Sequence, residues 1–276
     1  MALEEKMSQA FRIKKMNFTG IQEEEEERFH PFHEFYYVAE GSCSVFIGHR
    51  SYRLSAGDFA IIPVGVLHKT DYLSLGQNTK YVVSFSTRLA RQVDTFLGEP
   101  ITAACMKSGR VRAPAQRQEA IRAQMNRMLY EYENQPEHSM SVCRAILCGI
   151  MISIIRYRAG EEENDGTVSP ENERMQAVAD YITLHAAEDL SLAGLSSVFA
   201  LSPSHLSRTF RKATGFGLRE FLVHTRIQMA CSLLLTTGLS ITEIAAKCGF
   251  TDSNYFGDAF KKAMGVSPRE YRKIAE

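Results

Sequence analysis

The chain has 276 residues, and its 32 Lys and Arg balance 32 Asp and Glu, so the formal net charge is zero. That length suits two ordinary domains, and an apolar share of 45% is ample for two cores. Overall neutrality excludes a protein that meets a polyanion with its whole surface, while a local basic patch stays open.

Cys43, Cys105, Cys143, Cys148, Cys231 and Cys248 form no CxxC pair. Reduced, buried thiols of a cytosolic protein are the expectation. The opening "MALEEKMSQAFRIKK" lacks the apolar centre of a signal peptide. The longest apolar run, "AILCGIMISII" from Ala145, is too short to span a bilayer. The expected location is therefore cytoplasmic, with no membrane partner.

In chain order, Glu23 to Glu27 is an acidic run expected to be a solvated loop. Residues 28 to 87 read as short strands. "FYYVAEGSCSVFIGHRSYRLSAGDFAIIPVGVLHKTDY" alternates β-branched and aromatic residues with polar ones, and Gly41, Gly48 and Gly57 punctuate it at hairpin spacing. "YVVSFS" from Tyr81 is a further strand, and together they predict a small antiparallel barrel or sandwich. "AQRQEAIRAQMNRMLYEYEN" then places Ile121, Met125, Met128, Leu129 and Tyr132 on one helical face. "SVCRAILCGIMISIIRYR" is apolar around much of its girth, so helices within 115–158 must pack on the barrel, on a second protomer, or on both. "AGEEENDGTVSPENE", residues 159–173, has linker composition. The predicted division is 1–158, an acidic linker at 159–173, and an all-α region at 174–276.

That last region contains a repeat. Leu190 to Gly215 lies over Leu239 to Gly265, with Leu206 matching Phe256 and Phe210 matching Phe260. A period of about fifty residues signals one supersecondary unit used twice. In the second copy Ser240 and Glu243 form a capping box, Gly249 ends the first helix, and Thr251 or Asp252 caps the next. In the first copy Ser202 caps and Pro203 takes the first helical position. Two short helices about a tight turn predict a helix-turn-helix. The outer stripes are Ser204, Ser207, Arg208 and Arg211 in one copy and Asn254, Gly257, Asp258 and Lys261 in the other, with Ser253 opening the second stripe. Such side chains reach base edges and phosphates.

A charged solvent face on an ordinary bundle is the alternative. The segment between the copies weighs against it: Leu218 to Thr236 reads as one continuous helix of roughly 30 Å, near the ~34 Å between successive major grooves on one side of B-DNA. Arg208, Arg211, Lys212, Arg219 and Arg226 against the single acid Glu220 also make a basic patch.

"HLSRTFRKATG", Arg226, Ala230, Leu233, Leu234, "EIAAKCGFTDSNYF", "FKKAMGVSP" and Tyr271 resemble the AraC/XylS family of bacterial transcription regulators. The resemblance covers the last hundred residues or so and implies a seven-helix DNA-binding module. Many members carry Arg where this chain has Asp258, which puts the second copy's base reading in doubt; a carboxylate there can accept from a cytosine amino group. The N-terminal region is similar to the cupin-type sensor domain of that family through Gly57, Pro63, Gly65 and His68. Glu34 and Gly41 keep the spacing of the other cupin motif and His30 fits one ligand place, but Arg28 stands where another histidine is expected. His33 is spare.

The resemblance thus implies an α+β, two-domain fold: an N-terminal cupin-like β-barrel with flanking helices, and a C-terminal all-α domain with two helix-turn-helix motifs. It further implies double-stranded DNA as partner, a small-molecule effector such as a sugar or related metabolite, a homodimer, and RNA polymerase as a further partner if the protein activates. It implies no cofactor, no metal and no catalytic residue, with His30, Glu34, Tyr36 and His68 as polar groups of a ligand pocket. Two alternatives stay open: a metal-dependent cupin enzyme fused to a DNA-binding tail, and a regulator that binds DNA without any effector.

Overall fold

The computed structural model describes residues 11–21, 29–72, 75–159 and 170–275. The acidic run at Glu23–Glu27, Arg28 and most of the expected linker, 160–169, lie outside the described residues.

The N-terminal half is two facing antiparallel sheets. The larger has the order β1-β7-β2-β5-β8 and the smaller β4-β3-β6. Their strands are β1 (Phe11–Thr19), β2 (His33–Glu40), β3 (Ser42–Ile47), β4 (Arg50–Ser55), β5 (Asp58–Ile62), β6 (His68–Tyr72), β7 (Gln77–Phe85) and β8 (Gly109–Arg112). β2 is buried along nearly its whole length, because both of its faces are covered. Tyr36 and Val38 point between the sheets, toward Val45, Leu54 and Tyr72. Phe35, Tyr37 and Ala39 point the other way, into a core shared with helices. This is the strand period of two, read out on two different neighbours.

Those helices are α1 (Thr87–Leu97), α2 (Ile101–Cys105), α3 (Ala115–Asn134) and α4 (Ser139–Arg158). α3 buries Ile121, Met125 and Met128 in the outer core, with Leu129 and Tyr132 packed beside them. Polar ties fix it to the sheet: Tyr81 donates to Asn126 Oδ1, and Arg122 donates to the Ala39 carbonyl at 3.0 Å. α4 is long and apolar enough to cross a membrane by length and composition alone. Its Leu147, Ile150, Met151 and Ile154 are nevertheless buried in this same core. All six cysteines are buried, and none is in a disulfide.

The C-terminal half is helical: α5 (Pro170–Leu184), α6 (Leu192–Val198), α7 (Pro203–Thr214), α8 (Leu218–Thr236), α9 (Ile241–Lys247), α10 (Ser253–Met264) and α11 (Pro268–Ala275). α5 starts at Pro170, inside the stretch expected as linker. α8 serves two cores. Its Phe221 packs with Leu206, Phe210 and the α5 residues Met175, Val178 and Ile182. Its Ile227, Ala230 and Leu234 pack with Ile244, Phe256, Phe260 and Met264.

The halves meet through apolar side chains. Phe46 of β3 and Leu67 join the first helical core, where the Phe46 ring lies 6.3 Å from Phe216 and 6.2 Å from Phe221. The Phe29 ring lies against His224 of α8, with ring centroids 4.3 Å apart and the planes tilted by 40°. Gln176 of α5 also donates to the His49 carbonyl.

Candidate nucleic-acid interface and sensor site

Each helix-turn-helix is built by local chemistry. Ser202 accepts from the His205 N–H at 3.3 Å, with Pro203 in the first turn of α7. Ser240 and Glu243 cap α9 reciprocally, at 3.2 and 2.7 Å. Asp252, rather than Thr251, caps α10, accepting from the Asn254 N–H at 2.7 Å. Each such cap stabilises its helix by about 1 kcal/mol. Gly249 sits at φ +82, and a Cβ there would lie 2.7 Å from the Ala187 carbonyl oxygen. The turn therefore needs glycine for conformation and for space.

With Leu206, Phe210, Phe256 and Phe260 fully buried, the opposite faces turn outward. Ser204, Arg208 and Arg211 are exposed on α7, and Ser207 is half-buried. Ser253, Asn254, Asp258 and Lys261 are exposed on α10. The basic patch is smaller than the sequence reading held. Arg226 is half-buried and donates to the carbonyls of Ala186 at 2.7 Å and Glu188 at 2.8 Å, with its guanidinium over Phe250. It pins α8 to the end of α5, leaving Arg208, Arg211, Lys212 and Arg219 as the exposed cations. Sequence spacing could not reveal this, because the carbonyls it satisfies lie some forty residues away in the chain.

The four residues expected in a ligand pocket also come together. His30, Glu34, Tyr36 and His68 are all buried. Glu34 Oε1 lies 3.4 Å from His30 Nε2 and 3.7 Å from His68 Nε2. The two imidazoles meet edge to face at 4.9 Å, and Tyr36 flanks His68 at 6.1 Å. His33 is not part of this group. One residue along β2, it faces the outer core, accepts from the Val64 N–H and stacks on Phe85.

The protonation states follow from the surroundings. Burial, helped by the charge of His30, pushes the His68 ring down to about 4 against the pull of Glu34. Burial likewise takes His33 down to about 4. For Glu34 burial acts upward, but His30, His68 and the Ser84 hydroxyl outweigh it and hold the carboxyl below the usual carboxylate range. The site therefore presents a carboxylate and a neutral His68 at neutral pH.

Sequence reasoning missed one group. Lys80 is only 1% exposed, and its ammonium sits over the Tyr36 ring at 3.9 Å and 5.7 Å from the Tyr72 ring. The available signal was register: Lys80 shares the inner face of β7 with Val82.

With this geometry in place, comparison with known proteins is informative. Residues 20–142 match the family of AraC-like ligand binding domains, and residues 195–274 match a helix-turn-helix domain family. The chain belongs to the AraC family of helix-turn-helix proteins, with that family's ligand-binding domain at its N-terminal side. It is 34% identical over 145 residues to the uncharacterized HTH-type transcriptional regulator YijO of Escherichia coli strain K12, covering 52% of this chain and 50% of that protein. It is 32% identical over 152 residues to an uncharacterized HTH-type transcriptional regulator of Staphylococcus aureus strain MSSA476, covering 55% of this chain and 20% of that protein. The chain thus spans half or less of the length of these curated relatives. Among solved structures, an apo ToxT variant from Vibrio cholerae matches with TM-score 0.44 and 15% identity over 97% of this chain and 98% of that one.

Proposed function

We propose that the protein is a sequence-specific transcriptional regulator that binds double-stranded DNA and is controlled by a small-molecule effector held in its N-terminal domain. One observation carries this reading: α7 and α10 both turn their polar stripes outward while a single helix, α8, supplies the core of each unit. At 1.5 Å per residue its 19 residues span about 28 Å, within reach of successive major grooves. In this reading Ser204, Ser207, Arg208 and Arg211, with Ser253, Asn254, Asp258 and Lys261, contact DNA. His30, Glu34, Tyr36 and His68 hold the effector.

The division of labour is 1–158 for sensing, 159–173 for connection and 174–276 for DNA. A cytoplasmic location follows from DNA as the partner. The protein acts as a homodimer rather than as an enzyme, and as an activator it would also contact RNA polymerase. Phe96 of α1 and Tyr130 of α3, 82% and 61% exposed, support pairing through the helices outside the barrel.

Selection of bound fragments from random duplex DNA by the full chain tests the reading. An enriched motif that spans two adjacent major grooves is expected. Uniform, salt-sensitive binding with no enrichment would sink it.

A further inference from the structure

The join between the halves is closed at one end and open at the other. Phe46 and Leu67 pack with Phe216 and Phe221, and there the contact is apolar. Further along α8 a crevice of about 490 Å³ opens between the same two halves. Sites for small molecules are commonly ~300–1,000 Å³ and occur preferentially where domains meet.

Its two walls belong to different halves. On the N-terminal side stand Ile47, His49, Arg50 and Tyr52 of the β3–β4 hairpin, with Val66 from the loop before β6. On the helical side stand Thr225, Gln228, Met229 and Ser232 of α8. These four recur at i, i+3, i+4 and i+7, so they form one stripe. Phe221 begins that stripe one turn earlier and is buried, whereas Gln228 and Ser232 continue it and are exposed. A stripe that served only to hold the halves together would stay apolar. This one turns polar where the crevice opens.

The lining also sorts by depth. Ile47 and Val66 are 1% and 2% exposed, and Thr225 is buried with its hydroxyl donating to the Phe221 carbonyl at 2.9 Å. They make an apolar floor. Arg50, Ser108, Gln228 and Ser232 are exposed around the mouth. No Asp or Glu occurs among the described residues of the lining. Asp180 of α5 lies 3.8 Å from the His49 ring but outside the lining, and it accepts from Gln176 at 3.1 Å. Burial lowers the His49 pKa against the pull of Asp180, so the ring is neutral at neutral pH and the charge in the lining is that of Arg50. Lys107, exposed and next in sequence to Ser108, adds charge of the same sign. An apolar floor beneath a cationic mouth suits an organic anion, whose acidic group meets a guanidinium fork in charge-assisted hydrogen bonds.

We infer that this crevice binds a small organic anion, with its apolar body on Ile47 and Val66 and its acidic group held by Arg50, and that the bound anion bridges the β3–β4 hairpin to α8. It is a second ligand site, since none of His30, Glu34, Tyr36 and His68 lines it. Gln176 already ties the His49 carbonyl to α5. The ligand adds a tie from the same hairpin to α8, the helix that supplies the core of both helix-turn-helix units. The site stands on its own geometry; its value as a regulator of DNA binding rests on the function proposed above.

Two fluorescent probes of nearly the same shape provide the test on the full chain: anilinonaphthalenesulfonate, an anion, and phenylnaphthylamine, its neutral counterpart. The anion should bind saturably and more tightly than the neutral probe. Arg50→Gln should weaken the anion by roughly tenfold or more and leave the neutral probe unchanged. Ser232→Trp, which fills the crevice from α8, should remove both. Arg50 and Ser232 are exposed, so neither substitution disturbs a core. In the unsubstituted chain, hydrogen exchange should slow in the β3–β4 hairpin and in the middle of α8 when the anion binds. Absence of saturable binding, or binding of the anion that either variant leaves unchanged, overturns the site. Equal weakening of both probes by Arg50→Gln overturns the preference for an anion. Slowed exchange in one wall only, or in neither, overturns the bridge. None of these measurements uses DNA, so a failed DNA selection would strike only the proposed function.

Discussion

The two helix-turn-helix units share a skeleton and differ in skin. Leu206 and Phe210 in one, and Phe256 and Phe260 in the other, are fully buried at equivalent places. Gly215 and Gly265 both close their second helices in the left-handed region, at φ 83 and 76. The outer faces diverge: Arg208 and Arg211 on α7, against Asp258 and Lys261 on α10. Packing thus constrains the inner positions alike in both copies and leaves the outer ones free to read different surfaces. If the units are mechanically alike, Phe210→Ala and Phe260→Ala should each cost about 3–5 kcal/mol. Thermal unfolding of both variants checks this, and a clear inequality would show that one unit carries the fold.

The turns sharpen the contrast. Gly249 and Ala200 occupy equivalent places, and both have positive φ, +82 and +50. Ala200 is exposed, so its methyl costs only conformation. Gly249 is pressed against the Ala187 carbonyl, where a methyl has no room. Gly249→Ala should therefore destabilise by about 2–3 kcal/mol. Ala200→Gly should be neutral or stabilising by up to about 1 kcal/mol. Chemical denaturation of the pair would show whether space or backbone angle is decisive, since backbone angle alone predicts effects of equal size.

The outer faces differ in what they can do to DNA. Arg208→Ala should weaken binding to the selected site by about 1–3 kcal/mol and relax one base position. Arg211→Ala, if the proposed contact is to a phosphate, should weaken all sequences alike and lower the salt slope by about one. Asp258→Ala should cost less than Arg208→Ala, because a carboxylate faces the phosphate backbone unfavourably. Titrations at two salt concentrations separate these outcomes. A larger loss at Asp258 than at Arg208 would reverse the assigned ranking of the two units.

The helical half was the more legible in sequence. Caps, turn glycine and aromatic spacing are local signals, and α8 runs over the residues its pattern implied, Leu218–Thr236. The sheet half was legible only in part. β1 and β8 were missed, because each is defined by a distant partner: β1 pairs along β7, and β8 along β5. β8 is four residues long, too short to declare a period. The site residues show the same divide. His30, Glu34 and His68 were marked by motif resemblance, and the fold brings them within reach of one another. The buried Lys80 and the structural duty of Arg226 depend on what lies across the fold from them, which no local pattern encodes.

The smallest expected effect concerns the join between the halves. His224 packs on Phe29, and burial lowers its pKa from the ordinary value near 6.5; Glu220 on its own helix opposes the shift and Lys262 of α10 adds to it. A histidine with a depressed pKa stays neutral in the packed form and takes up a proton once the contact opens. The contact should therefore be fully stable above pH about 6.5 and weaken as pH falls toward the lowered value. His33 and His68 shift in the same direction, so acid sensitivity of the whole chain would not single out His224. The difference between wild type and His224→Gln does, because the glutamine cannot titrate while the other histidines are retained. The fall in unfolding temperature from pH 7.5 to 5.5 should be smaller in the variant. Identical pH profiles would mean that the Phe29–His224 contact does not respond to protonation, and that apolar packing around Phe46 and Leu67 holds the halves together unaided.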